Sequence, residues 1–220
     1  MVEIEEDEDV RVIATSGLRL VFRWTGDRWT HALEVTDLAG WATFGESVEA
    51  SAYRDDPGNI ASPTYQELHI QREGEHVLAL LVGRFGPRHF SGVFRVRHEL
   101  DKNENSWTFV EVDVADRSHD APESFTSTYL IDGPVGALLL GADPEGVAWE
   151  PRHHFNFGIY LRVSPNSESR EQIRLDEVDG GWRACVSSRI NTAEKTHRLR
   201  YEWCHTHLSK RFWEENPPPP

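Results

Sequence analysis

Residues 77–96 read VLALLVGRFGPRHFSGVFRV, two apolar runs (77–82 and 90–96) around a short loop with Gly83, Arg84, Gly86, Pro87 and Arg88. The first run is continuously aliphatic and bounded by glycine, the pattern of a strand buried on both faces. That reading puts Leu78, Leu80 and Val82 in the core and the strand at the centre of a sheet. The second run alternates, with Val93 and the neighbouring aromatics set against Arg95 and Arg97, and so reads as a half-buried strand. Joined, they predict a β-hairpin with apolar arms and a cationic tip.

The same alternation recurs on both sides of this hairpin. Over 18–24, Leu18, Leu20, Phe22 and Trp24 share one face and Arg19 and Arg23 the other. Residues 29–35 answer that strand across the turn-like Thr25-Gly26-Asp27-Arg28. Asp179-Gly180-Gly181 between 173–178 and 182–190 is the strongest hairpin signal in the chain. Over 107–114, Trp107, Phe109 and Glu111 take one side and Val110, Val112 and Val114 the other. Further strands are expected at 10–14, 41–50, 65–73, 125–131, 155–163 and 198–207, with a turn-dense loop at 53–63. Residues 137–140 fit either a helical turn or a short strand, and 209–215 one turn of helix. Roughly a dozen short strands, with turn signals every 8–12 residues, predict an all-β fold: a single antiparallel β-sandwich rather than a barrel.

No repeat of fixed period divides the chain. One domain is expected over 10–215, between an acidic disordered tail at 1–9 and a polyproline tail at 216–220. The hydrophobic fraction is only 38%, but 8 Trp, 10 Phe and 5 Tyr give each buried position a large area. A net charge of −14 argues against nucleic acid and anionic membrane as partners. No apolar run reaches the ~18 residues of a membrane span, and MVEIEEDED lacks the basic and apolar regions of a signal peptide. With two cysteines there is no disulfide framework. The expected location is the cytoplasm.

Ser62-Pro63-Thr64-Tyr65-Gln66-Glu67-Leu68-His69, Leu80-Leu81-Val82-Gly83 and Arg88-His89-Phe90-Ser91 together resemble segments of an uncharacterised group of planctomycete-type bacterial proteins. Ser127-Thr128-Tyr129 is similar to a further segment of that group, so the likeness covers about residues 18–130. The resemblance implies a bacterial, intracellular, stand-alone β domain, and it implies no catalytic residue.

Residues 80–98 hold Arg84, Arg88, His89, Arg95, Arg97 and His98 with no acid among them. Forked guanidinium donors suit carboxylates and phosphates, and loop glycines let backbone N–H groups converge on an anion. Arg84, Arg88, His89 and Arg95 are therefore the expected anion- or partner-binding set. The competing reading is that these arginines neutralise acids of the same chain, such as Glu111 or Asp113.

Cys185 and Cys204 are expected opposite one another on paired strands, with Ile190 opposite Leu199. His205 and His207 share a strand face, as zinc sites require. Two histidines are an incomplete ligand set, and the expectation is no metal and no cofactor. Trp24, Trp29, Trp41 and Trp149 border turns and loops, where an indole either stacks on a sugar or closes a core. No nucleophile elbow, phosphate-binding loop or His-Glu-x-x-His occurs. The expected function is a binding or interaction module for a small anionic ligand or a protein partner. The alternatives are a hydrolase-like or metal-dependent enzyme with its site on strand-connecting loops, and a carbohydrate-binding module.

Overall fold

The 77–96 hairpin is present, as β7 (His76–Phe85) and β8 (Arg88–Leu100), joined by Gly86 and Pro87. Gly86 has φ +57°, a left-handed conformation that favours glycine at the head of so short a turn. The computed structural model describes residues 1–37, 40–49, 60–102, 105–118, 122–132, 137–151, 157–164 and 171–207. These residues form sixteen strands in two antiparallel sheets.

Sheet I runs β1 (Glu3–Glu6), β2 (Val10–Ala14), β3 (Leu18–Trp24), β4 (Trp29–Asp37), β5 (Gly40–Ser47), β10 (Phe125–Asp132), β15 (Gly181–Ser188), β14 (Gln172–Val178). Sheet II runs β11 (Ala137–Ala142), β12 (Gly146–Pro151), β13 (Phe157–Val163), β16 (Thr196–His207), β9 (Ser106–Arg117), β8, β7, β6 (Glu67–Glu73). Neither sheet closes on itself, and the fold is a β-sandwich. Among the described residues no helix is long and apolar enough to cross a membrane.

Period-2 patterning places the core. Leu18, Leu20 and Phe22 on β3 and Val110, Val112 and Val114 on β9 belong to one continuous apolar cluster between the sheets, in which Phe22 meets Phe94 of β8 edge-on with centroids 5.8 Å apart. Both expected hairpins form, with Trp24 opposite Trp29 across 25–28 and, across Asp179 and Gly180, Val178 opposite Gly181, which joins the strand rather than the turn. Trp149 and Trp203, both fully buried, stack in the interior with ring centroids 6.0 Å apart. Trp149 is thus core, not a sugar platform.

Four expectations meet the structure: three are corrected, and the open choice at 137–140 is resolved. First, β7 is next to the edge strand β6, not central. Its inward residues are Val77, Ala79 and Leu81, so Leu78, Leu80 and Val82 take the outer face: Leu78 is buried there as expected, Leu80 is half-buried and Val82 is 51% exposed. A continuous aliphatic run looks alike for either face, and neighbouring strands decide which one is covered. On β8 the inward residues are Phe90, Phe94 and Val96, and Val93 lies outward with Arg95 and Arg97.

Second, the acidic start is not a tail. Val2 is buried, Ile4 packs on the core opposite Ile13, and the outward acids meet bases: Glu5 and Arg19 at 3.6 Å, Glu6 and Arg11 at 3.8 Å. Third, residues 137–140 belong to a strand, β11. Fourth, Cys185 and Cys204 lie on different sheets: Cys185 is opposite Thr128 and Arg174, Cys204 opposite Tyr160 and Phe109. Leu199 pairs with Val114 rather than Ile190, and both thiols are free. The expected features at 53–59, 209–215 and 216–220 lie outside the described residues.

A polar chain crosses the apolar interior. The His31 Nε2 lies 2.8 Å from the Tyr129 hydroxyl, which lies 2.7 Å from the Tyr201 hydroxyl, which lies 2.7 Å from Ser127 Oγ. At its other end His31 Nδ1 is 2.9 Å from Glu49 Oε1, and Ser47 Oγ donates to the same carboxylate oxygen. The chain spans both sheets, since Tyr201 is on β16 and the rest come from sheet I or the residues just after it.

Candidate functional site: an aromatic groove on sheet II

The four residues expected to bind an anion do not converge. Arg88 is 2% exposed and spans the core edge, its Nε and Nη2 donating to Asp116 Oδ2 at 3.0 and 2.7 Å and its Nη2 also to the Ser124 carbonyl at 3.1 Å. Arg95 sits mid-sheet, 3.8 Å from Glu111. Only Arg84 and His89 stay together, exposed and directly opposed at the end of the hairpin. Arg97 meets Glu111 at 3.0 Å and Glu202 at 3.5 Å and also contacts Glu99. Three of the four arginines in the window therefore meet carboxylates of their own chain.

Gly83 has a role other than anion binding: a Cβ there would lie 2.2 Å from the Thr64 carbonyl oxygen, so glycine lets the 64–65 segment cross β7. His205 is buried, and its ring fills the space a side chain on Gly17 of the facing sheet would need. The side chain of His207 lies outside the described residues. Among the described residues no three of His, Cys, Asp and Glu are gathered as a metal site.

The outer face of sheet II does assemble a site. Register sets Ala148, Tyr160, Cys204, Phe109 and Arg97 side by side across β12, β13, β16, β9 and β8. Trp107, two residues before Phe109 on the same strand face, lies nearly parallel to it, centroids 6.4 Å apart and planes at 11°. The Arg97 guanidinium lies 3.6 Å from the centre of the Phe109 ring, a cation–π contact that holds the ring flat.

Ala148, Tyr160, Cys204 and Phe109 of this row floor a groove of about 1060 Å³ whose sides include Leu100 and Leu140. Those two leucines are 69% and 54% exposed. Leu140 is turned out by the irregularity between Leu139 and Gly141, where β11 carries one residue more than β12.

Two tight turns carry acids to the rim. Asp143 Oδ1 accepts the Glu145 and Gly146 N–H groups, each at 2.8 Å, which fixes the β11–β12 turn. Asp101 accepts from the Asn105 backbone N–H at 2.9 Å and its side-chain amide at 2.8 Å, fixing the β8–β9 connection. With Glu99, the lining holds three acids. Its one base, Arg162, is engaged by Glu202 at 2.5 Å. Burial, then the nearby Glu202, pushes the Cys204 thiol up to about 12, so the floor presents a neutral thiol and no nucleophile.

Trp107 and Phe109 were legible as sharing one face of an alternating strand with Glu111, opposite Val110, Val112 and Val114. The signal for a site was that both faces of this strand carry large apolar side chains. Tyr160, Leu140 and Asp143 reach the groove only through pairings that span the chain. No protein-family model matches the chain, and no curated protein matches it.

Proposed function

We propose that this protein is a binding module, not a catalyst, and that the sheet II groove takes an extended protein segment rich in apolar and basic residues. The observation that carries the reading is the half-buried, stacked Trp107–Phe109 pair beside the exposed Leu100 and Leu140. Exposed apolar surface of this extent, ringed by polar groups, marks interaction sites, and aromatic anchors supply most of the energy at such sites. The occupant follows from charge: with Glu99 paired to Arg97 and Arg162 to Glu202, Asp101 and Asp143 leave the rim acidic, which repels an anionic partner and attracts a basic one. The groove reading replaces the anionic ligand expected at the hairpin, and the working location is the cytoplasm.

The test is fluorescence anisotropy with a labelled synthetic peptide that alternates lysine with leucine and tyrosine, beside its glutamate counterpart. The lysine peptide should bind, more weakly as salt rises, and the glutamate peptide should not. Equal binding of both would remove the charge argument, and saturable quenching by neutral oligosaccharides instead would favour the carbohydrate-binding alternative.

A further inference from the structure

A second recess, sharing no residue with the groove, lies where β16 outruns β13. β13 ends at Val163 opposite Tyr201, beyond it the Ser164 N–H donates to the Arg200 carbonyl at 3.2 Å, and among the described strands residues 196–200 of β16 pair with β9 alone. The recess measures about 910 Å³ and is lined by Arg189, Asn191, Thr192, His197, Arg198 and Arg200 among others. Its lining carries three arginines against the single acid Glu194, in a chain of net charge −14.

The cations are held but not used up. Asp113 Oδ2 accepts from Arg198 Nη1 at 3.0 Å and from Arg200 Nε at 3.1 Å. This fixes both guanidinium groups and leaves most of their five donors available. Arg189 is exposed and has no carboxylate partner among the described residues. The Glu194 carboxylate accepts the Asn191 amide at 2.7 Å, which draws it into its own turn.

Backbone geometry adds a donor. The Arg200 N–H bonds Glu171 Oε1 at 3.1 Å on the side where β13 would lie. Antiparallel strands repeat every two residues, so the Arg198 N–H points to that same side, into the recess. His197 in the lining is 3% exposed, and its Nε2 has no hydrogen-bond partner among the described residues.

We propose that this recess binds a tetrahedral oxyanion, the phosphate or sulfate group of a small molecule, between Arg189 and the Arg198–Arg200 pair. Forked guanidinium groups, a strand N–H and the Thr192 hydroxyl are the donors such a group takes. The site stands independently of the peptide groove.

The test uses the full ¹⁵N-labelled chain, titrated in separate arms with inorganic pyrophosphate and with sulfate while amide shifts are followed. Saturable shifts at Thr192 and Arg198 are expected. Saturation by both anions identifies a general oxyanion site, and saturation by pyrophosphate alone identifies phosphate as the source. Arg189→Glu should weaken binding roughly tenfold or more, while Arg84→Glu, the same charge change on the remote hairpin, should alter it less than about twofold. Should Arg189→Glu not fold, Arg198→Gln carries the same expectation. Shifts that do not saturate, or equal weakening by Arg84→Glu, would overturn the proposal.

Discussion

The hydroxyls of Tyr129 and Tyr201, one from each sheet, lie 2.7 Å apart in the middle of the sandwich. The two side chains are 1% exposed, so no water competes for that bond. Tyr129 also serves His31, whereas Tyr201 also serves Ser127. The chain therefore links the sheets through the Tyr201 hydroxyl, which meets both Tyr129 and Ser127, and satisfies polar groups that would be costly to leave unpaired.

Tyr129→Phe leaves His31 Nε2 without its partner and removes one of two partners from Tyr201. It should cost about 1–3 kcal/mol, read by urea unfolding as a lower midpoint with an unchanged slope. Tyr201→Phe keeps the His31–Tyr129 bond and should cost less. An equal cost for both would mean that the link to His31 contributes nothing.

Alkaline pH should unfold the protein steeply. Burial raises the phenols of Tyr65 and Tyr201 well above their usual range, and burial likewise raises that of Tyr129. In the unfolded chain the same phenols ionise near pH ~10. Above that pH the unfolded state holds fewer protons than the native state, so stability falls as pH rises, by about 1.4 kcal/mol per pH unit for each phenol. Below about pH 9 the contribution is fully present. Thermal unfolding between pH 8 and 11 checks this, and a flat profile would contradict it.

The hairpin arginines should separate cleanly. Arg88→Ala strands the buried Asp116 carboxylate and should cost about 3–5 kcal/mol. Arg84→Ala, an exposed position, should change stability by less than about 0.5 kcal/mol. Similar effects from the two would place Arg88 at the surface, against the geometry of its bonds to Asp116.

Much of the sandwich was legible because alternation and turn chemistry are local. The 18–35 hairpin and the Asp179-Gly180 turn needed nothing beyond neighbouring residues. Failures came where a distant neighbour decides. Which face of 77–82 is covered depends on the opposite sheet, and the place of β16 between β13 and β9 separates Cys204 from Cys185. The charge run at 3–9 hid Val2 and Ile4, whose spacing already had the strand period. For the site, Arg88 was visible as a cation but its carboxylate partner, 28 residues on at Asp116, was not. The groove drew on separate stretches of chain, and beforehand the alternation showed only that Trp107 and Phe109 share a strand face with Glu111.

Cysteine labelling reports on the groove floor. With its thiol pushed up to about 12 and 5% exposed, Cys204 should resist iodoacetamide at pH 8, whereas the half-exposed Cys185 should react. Peptide mapping by mass spectrometry distinguishes them. Rapid labelling of Cys204 in the native protein would show a floor open to solvent.

The most direct measurement of the groove is the affinity of the lysine–leucine–tyrosine peptide for the wild-type chain and for Trp107→Ser, with circular dichroism confirming the fold. Trp107 is on the outer face, so the variant should keep its unfolding midpoint within about 0.5 kcal/mol. It should lose peptide affinity by roughly tenfold or more, as expected for an aromatic anchor. Unchanged affinity in a folded Trp107→Ser protein would contradict the assignment of the sheet II groove as the binding site.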